Sequence, residues 1–383
     1  MIPYGRQQIS REDIAAVEAV LRSDFLTQGP AVERFETAVA TRVGARHAVA
    51  VNSATSALHV ACAALDLGPG DMLWTSPITF VASANCARYC GADVDFVDID
   101  PETFNMCADA LEAKLERAAR SGRLPRVIVP VHMCGQSPDM ARISTLARSY
   151  GIRIIEDASH SIGADYLGAP VGGCAHSDIT VFSFHPVKII TTAEGGMALT
   201  NDAELAGRLA RLRSHGITRD PHLMTHESDG PWYYQQLELG WNYRMTDLQA
   251  ALGLSQLDRL DDFIARRRAL ADAYDAKLAG MPLRRPGRLG DAASSWHLYV
   301  IRVEDASRHR AVFEALRSAG IGVNLHYIPV HLQPYYLSLG FAPGDFPVSE
   351  DYYSRAISIP LHPGLTDSNQ EAVLARLRSL IMV

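Results

Sequence analysis

Lys188 is the residue around which chemistry can be organised. The chain carries 36 lysines and arginines together, yet only three of them are lysine: Lys114, Lys188 and Lys277. Lys114 and Lys277 fall in amphipathic helical stretches, Asp109-Ala-Leu-Glu-Ala-Lys-Leu-Glu-Arg and Asp272-Ala-Tyr-Asp-Ala-Lys-Leu, and are expected to be solvated. Lys188 follows an apolar strand, in Phe182-Ser-Phe-His-Pro-Val-Lys-Ile-Ile-Thr-Thr-Ala-Glu-Gly-Gly, with apolar neighbours. Desolvation at such a place lowers the pKa of an amine and frees its neutral, nucleophilic form. Arginine could not replace it, because a guanidinium stays protonated. The plainer alternative is a lysine that snorkels to solvent.

Three further places supply what such an amine would need. Asp157 closes the strand Arg153-Ile-Ile-Glu-Asp, at the carboxyl end where open α/β sheets bind ligands. It can keep a ring nitrogen protonated or simply cap the helix that follows. Val51-Asn-Ser-Ala-Thr-Ser-Ala-Leu lies between a strand and a helix, where free N–H groups and hydroxyls suit a phosphate dianion. Ser53, Thr55 and Ser56 also fit ordinary caps. Phe80, in Ser76-Pro-Ile-Thr-Phe-Val-Ala-Ser, follows the next strand and offers either a stacking face or a core side chain. His160 can pack against ring or acid, or be structural. Amine, acid, phosphate cradle and aromatic face are together the requirements of pyridoxal 5'-phosphate (PLP).

Positioning these groups requires strand ends in one sheet. From about 30 to 200 the sequence alternates apolar runs with helical patterns, the sign of an α/β sheet built of parallel, right-handed crossovers. Strands are expected at 48–51, 72–75, 94–97, 127–131, 153–155, 180–184 and 196–200. After a helix at 202–214, residues 218–240 are polar and rich in Pro and Gly, as in a long loop. One long helical region is expected from Thr246 to about Ala279, connecting to a smaller α+β part. That part has strands at 296–303 and 323–327 and helices at 308–319 and 369–380.

Composition narrows the class. The chain has 383 residues, 48% apolar and 21% charged, which suits a soluble globular protein of two domains. The formal charge of −7 argues against nucleic acid as a partner. No apolar run reaches the length of a membrane span and the start lacks a signal-peptide pattern, so a cytoplasmic location is expected. The six cysteines, Cys62, Cys86, Cys90, Cys107, Cys134 and Cys174, form no CxxC pair. They are expected to be free thiols and no metal site is assigned.

The motifs also occur together in a known order. Asn52-Ser-Ala-Thr-Ser-Ala-Leu, Pro77-Ile-Thr-Phe-Val-Ala-Ser-Ala-Asn, Glu156-Asp-Ala-Ser-His-Ser-Ile-Gly, Phe182-Ser-Phe-His-Pro-Val-Lys, Glu194-Gly-Gly and Gly240-Trp-Asn-Tyr-Arg-Met-Thr-Asp-Leu-Gln-Ala-Ala-Leu-Gly run through most of the chain. The chain so resembles the DegT–StrS nucleotide-sugar aminotransferases. The resemblance implies a fold-type I PLP-dependent transferase, aspartate aminotransferase-like, with a large mixed-sheet α/β domain (1–250) and a small C-terminal α+β domain (251–383), residues 1–30 contributing to the substrate site. It implies Lys188 as the residue covalently bound to PLP, Asp157 at the ring nitrogen, Ala54, Thr55 and Ser56 at the phosphate, Phe80 stacking, and His160 and Ser183 beside the cofactor. Asn242 and Arg244 would reach into the neighbouring subunit's site of a homodimer. Ile2-Pro-Tyr-Gly, Ser23-Asp-Phe-Leu-Thr-Gln-Gly, Thr191-Thr-Ala-Glu-Gly-Gly, Arg213-Ser-His-Gly and His326-Tyr-Ile-Pro are similar to the branch serving pseudaminic acid biosynthesis. That branch moves an amino group from L-glutamate to C4 of a UDP-2-acetamido-2,6-dideoxy-4-keto-hexose. The likeness implies that Tyr4, Phe25, Leu26, Thr27, Gln28, Ser183, Asn242, His326 and Tyr327 meet the substrate. A dTDP- or GDP-linked or C3-keto sugar remains the alternative, as does a non-catalytic regulator on the same fold. A keto-sugar dehydratase would carry histidine at position 188.

Overall fold

A computed structural model describes residues 1–382. A seven-stranded sheet carries the strand ends that the motifs require. Its strands are β1 (His47–Val51), β2 (Met72–Thr75), β3 (Asp93–Phe96), β4 (Val127–Val129), β5 (Arg153–Asp157), β6 (Ile179–Ser183) and β7 (Gly196–Thr200), in the spatial order β1-β7-β6-β5-β4-β2-β3. β7 runs antiparallel to both neighbours and all other pairings are parallel. The sheet is mixed, as the resemblance implied, and β7 is where it departs from the parallel units read from the alternating pattern. Between Ser183 and Gly196 there is only a loop, and a parallel return needs a crossover element.

Side chains alternate across this sheet as a strand's period of two demands. Ile154 and Phe182 join one apolar cluster, with Phe35, Leu111 and Ile143. Ile155 and Val181 join a cluster on the other face, with Leu58, Val60 and Ala87. Burial on both faces explains why the strands read as continuous apolar runs. After α1 (Arg11–Leu21), the helices over these faces include α2 (Pro30–Val43), α3 (Ala54–Ala64), α4 (Ala82–Tyr89), α5 (Ala108–Ser121), α6 (Met140–Ser149) and α7 (Ala203–Leu212). α3 and α4 start directly after β1 and β2, so their N-termini open onto the same edge of the sheet as Asp157 and Ser183.

The expected long helix from 246 is two, α8 (Asp247–Leu257) and α9 (Leu260–Lys277). Arg259 leaves helical geometry at φ −105°, ψ 8°, and its guanidinium reaches the buried carboxylate of Asp13 and the carbonyl of Gln8. A third apolar cluster gathers Leu270, Tyr274, Ile301, Val312, Ile357 and Leu374. It is built on β8 (Leu283–Arg284), β9 (Tyr299–Val303) and β10 (Ala356–Ile359), covered by α10 (His309–Ser318) and α11 (Asp367–Ile381). The strand expected at 323–327 does not form. Asn324 makes one bridge to Ser358, and its side chain then takes the N–H of Leu325 out of any ladder. The segment turns instead toward the large sheet and carries His326 and Tyr327 there.

Two lysine expectations resolve differently. Lys277 pairs with Glu371 on the surface. Lys114 is not solvated: its side chain is 19% exposed, its ammonium lies 2.7 Å from Asp95 and 4.8 Å from the centroid of Trp74. Helix periodicity placed it on a polar face, but the stem is long enough to cross to β3 and bury itself there. All six cysteines are free thiols, four of them buried. Among the described residues no helix is long and apolar enough to cross a membrane.

Candidate active site

A cavity of about 560 Å³ opens beyond the carboxyl ends of β1, β2, β5 and β6. Of the residues singled out in the sequence, Tyr4, Ala54, Thr55, Phe80, Asp157, His160, Ser183, Lys188, His326 and Tyr327 line it. They come from six regions of the chain, and the strand order brings those at the strand ends together.

Lys188 is held by a tied loop. Phe184 N–H donates to the carbonyl of Gly195 (2.9 Å), Thr192 N–H to that of Phe184 (3.0 Å) and Lys188 N–H to that of His185 (2.9 Å). Ile189 and Ile190 anchor the loop in the core, 3% and 0% exposed. Burial lowers the pKa of the Lys188 amine to about 8, against the opposing pull of the Asp157 carboxylate. In the cofactor-free protein the neutral amine therefore forms as pH rises through about 8, well below the ordinary lysine value of about 10.4. Labelling of Lys188 by an acylating reagent, followed by peptide mapping, is expected to be half-maximal near that pH. A midpoint above pH 10 would show that the cavity does not perturb the amine.

Asp157 is 5% exposed and fixed from two sides. Its Oδ2 accepts the Ser83 hydroxyl (2.6 Å) and its Oδ1 accepts Ser159 N–H (3.1 Å). Ser83 Oγ also lies 2.7 Å from Thr79 Oγ1. The single Ser83 proton is committed to the carboxylate, so Thr79 donates to Ser83. A helix cap is not what this aspartate does: it ends a strand, and one helix, α4, points a hydroxyl back at it.

At the N-terminus of α3, Ser53 Oγ accepts Ser56 N–H (3.1 Å), and Ser56 Oγ donates to Asn52 Oδ1 (2.7 Å). Ser56 is thus spent on the cap and does not line the cavity, whereas Ala54 and Thr55 do. Their N–H groups belong to the first turn, which has no intrahelical acceptors and favours an anion. The cradle is close-walled: a Cβ on Gly196 would lie 2.5 Å from Ala54 N. Phe80 is 58% exposed, which excludes the core reading, and its ring stands 6.2 Å from that of Tyr327. Tyr4 packs 5.3 Å from His326, bringing the N-terminal segment to the cavity wall. His160 lies within 3.3 Å of the Tyr327 hydroxyl. The Ser183 hydroxyl lies at the end of β6, on the cavity.

Phe25, Leu26, Thr27, Gln28, Asn242 and Arg244 stand apart from this cavity. Thr27 bridges Thr246, Asp247 N–H donates to the Leu26 carbonyl (3.0 Å), and Asp247 Oδ2 accepts Gly29 N–H (2.8 Å). Arg244 bridges Val51 and Asn242 bridges Ser214. The two segments form one surface on the outer side of β1, with Phe25 53% and Leu26 49% exposed. Sequence reasoning missed several contributors to the site, among them Ser83, Thr79 and His297. Ser83 and Thr79 lay inside a quoted motif, but their partner is 74 residues away. His297 had no local signal.

The family model for the DegT/DnrJ/EryC1/StrS aminotransferases matches residues 7–378. The spore coat polysaccharide biosynthesis protein SpsC of Bacillus subtilis is 39% identical, over 99% of this chain and 97% of its own. Among solved structures, PseC of Helicobacter pylori, described as an aminotransferase involved in the biosynthesis of pseudoaminic acid, superposes with a TM-score of 0.91 at 31% identity, covering 100% of this chain and 99% of that one. The putative sugar aminotransferase Spr1654 of Streptococcus pneumoniae in its PMP form does so with a TM-score of 0.91 at 30% identity, again over 100% and 99%. The same protein is also known in a PLP form.

Proposed function

The chain belongs to the DegT/DnrJ/EryC1/StrS aminotransferase family, a PLP-dependent sugar aminotransferase with the fold-type I architecture, and from that premise we propose that it transfers the amino group of L-glutamate to C4 of a UDP-2-acetamido-2,6-dideoxy-4-keto-hexose. The observation that carries the chemistry is the convergence of the Lys188 amine, the Asp157 carboxylate and the α3 N-terminus on one cavity. The pseudaminic acid branch is favoured by the N-terminal Tyr4 and by His326 and Tyr327, which line that cavity in keeping with the sequence likeness. We assign residues 1–250 to a cofactor-binding domain and 251–383 to a smaller one.

The residues fit the cofactor. Ala54 and Thr55 would hold its phosphate, Asp157 its ring nitrogen, Phe80 one face of the ring, His160 and Ser183 its surroundings, and Lys188 its aldehyde carbon. When bound, PLP supplies the carbonyl that carries the amino group between substrates and the electron sink that acidifies the carbon bearing it. Asp157 holds a proton on the ring nitrogen, since a buried carboxylate favours an adjacent cation. Once glutamate occupies the site, the Lys188 amine is free. It would take the proton from the donor's α-carbon, and the donor would leave as 2-oxoglutarate with its amino group kept at the cofactor. In the second half Lys188 runs the proton the other way, onto C4 of the keto sugar. Asn242 and Arg244, exposed and half-buried beside β1, complete the site of a neighbouring copy in a homodimer, where Phe25 to Gln28 from the adjoining segment also meet substrate.

The test is a panel of UDP-, dTDP- and GDP-linked 3- and 4-keto sugars with glutamate, products identified by NMR. A 4-amino UDP sugar is expected. Preferential amination of a dTDP or C3-keto sugar would replace the substrate assignment, and no conversion of the bound cofactor by glutamate would remove the glutamate donor.

A further inference from the structure

One wall of the cavity is made by a residue that no strand-end motif supplies. His297 is 5% exposed and lines the cavity, its ring packed on that of His160 at 4.3 Å between centroids. Its Nδ1 is buried without a hydrogen-bond partner among the described residues, and so is the Nδ1 of His160. Burial holds both rings well below the ordinary histidine pKa, so each is a neutral imidazole with one donor and one acceptor nitrogen. Both Nδ1 atoms are closed off from the cavity, which leaves Nε2, with no hydrogen-bond partner among the described residues, as the His297 nitrogen a ligand can reach.

The backbone around this ring is pinned at each residue. Ser295 N–H donates to Gly135 O (3.0 Å), Ser295 Oγ to His160 O (2.8 Å) and His297 N–H to Cys134 O (2.9 Å). Trp296, at φ +53°, stands in the left-handed region, its N–H taken by Ser294 Oγ (3.0 Å). Arg267, 1% exposed, donates from Nη1 to the carbonyls of Trp296 (3.1 Å), His297 (3.3 Å) and Leu361 (3.1 Å). No carboxylate pairs with it among the described residues. Burial of a guanidinium without an anion is costly, and what this one secures is the carbonyl on either side of the Trp296–His297 peptide.

Asp157, Lys188 and Glu194 line the cavity, and arginine is missing from its described lining. An amino donor such as glutamate brings carboxylates to this site. The acceptor's charge sits on its diphosphate, which must stay with the nucleotide toward the exposed side marked by Phe80 and His185. His160 and His297, each 5% exposed, form a closed part of the cavity wall.

We propose that His297 is a donor-subsite residue: its imidazole N–H hydrogen-bonds a carboxylate of the amino donor, and Arg267 is the positioning residue that holds it there. This rests on the use of glutamate argued above. Glutarate, which has both carboxylates and no amine, is the probe, titrated calorimetrically into the PLP-loaded enzyme. His297→Ala is expected to weaken glutarate binding and raise the KM for glutamate about tenfold or more, the scale of a hydrogen bond to a charged group. The KM for the keto sugar stays unchanged. His297→Gln, which keeps an amide near the Nε2 position, recovers most of the loss, and Arg267→Lys shows the donor defect without an acceptor defect. Unchanged glutarate affinity in His297→Ala overturns the proposal. So does a defect confined to the keto sugar, or equal defects in both substrates that glutamine does not restore. If wild-type enzyme takes no amino group from glutamate, the donor reading falls and this subsite with it. Normal wild-type chemistry with unaltered glutarate binding in the variant removes the subsite alone.

Discussion

Lys188→Arg is expected to bring turnover down by about four orders of magnitude or more while the protein stays folded and still takes up PLP. The substitution keeps a cation and a long stem in place. It removes the two properties the site is built around: an amine that can join the cofactor's carbonyl, and a base that can lift and return a proton. The guanidinium can do neither at any pH the fold survives. Burial has already moved the Lys188 amine to about 8, so the wild-type protein invests part of its packing in a base matched to neutral water. Lys188→Ala offers a control of a different kind. It leaves space where the stem was, and a small primary amine in solution is expected to restore part of the proton transfer, with a rate that rises with amine concentration. Steady-state kinetics with glutamate measures the loss. Borohydride reduction of the holoenzyme followed by peptide mapping measures the attachment. Wild-type turnover in Lys188→Arg, or a tag on Lys114 or Lys277, would remove the assignment.

Lys188, Asp157, Thr55 and Phe80 were legible because each follows its strand within a few residues. The rule that ligands bind at carboxyl strand ends converts that local fact into a shared location. What sequence could not carry was the second layer. Ser83 reaches Asp157 only because β2 and β5 lie on either side of β4, and His297 reaches His160 through a loop hung on Gly135 and Cys134. Neither contact has a period or a spacing to announce it. Lys114 shows the converse error. Its helix pattern is sound, yet a long side chain can leave the face its Cα occupies, and here it reaches Asp95 on β3 and Trp74 on β2. The lost strand at 323–327 has the same root. Asn324 satisfied its neighbour's N–H locally, and local side-chain bonding competes with a ladder. Phe25 to Gln28, Asn242 and Arg244 were picked out by likeness alone. Their common surface on the outside of β1 is consistent with a role that only a second copy of the chain would express.

Asp157→Asn tests the other half of the cofactor chemistry, and its effect on kcat is expected to be about 10²- to 10³-fold, the scale of removing one preorganised group from an enclosed site. The swap is close to isosteric. An asparagine Oδ1 can still accept the Ser83 hydroxyl, so the Thr79–Ser83 relay is expected to remain in place, while the NH2 group gives up the hydrogen bond from Ser159 N–H. What disappears is the negative charge. Without it a proton on the ring nitrogen loses its counter-ion in a buried place, and the ring becomes a poorer electron sink. Binding of PLP should weaken far less than turnover, because the α3 N-terminus and Lys188 are untouched. Ser83→Ala separates charge from orientation. It leaves the carboxylate ionised but removes one charge-assisted hydrogen bond, worth about 1.5–3 kcal/mol, so a kcat loss near tenfold is expected, smaller than that of Asp157→Asn. The decisive comparison is kcat against PLP affinity across the two variants. Turnover near wild type in Asp157→Asn would mean that the ring nitrogen needs no proton from this position. A Ser83→Ala loss equal to that of Asp157→Asn would mean that geometry, rather than charge, is what β5 delivers to the cavity.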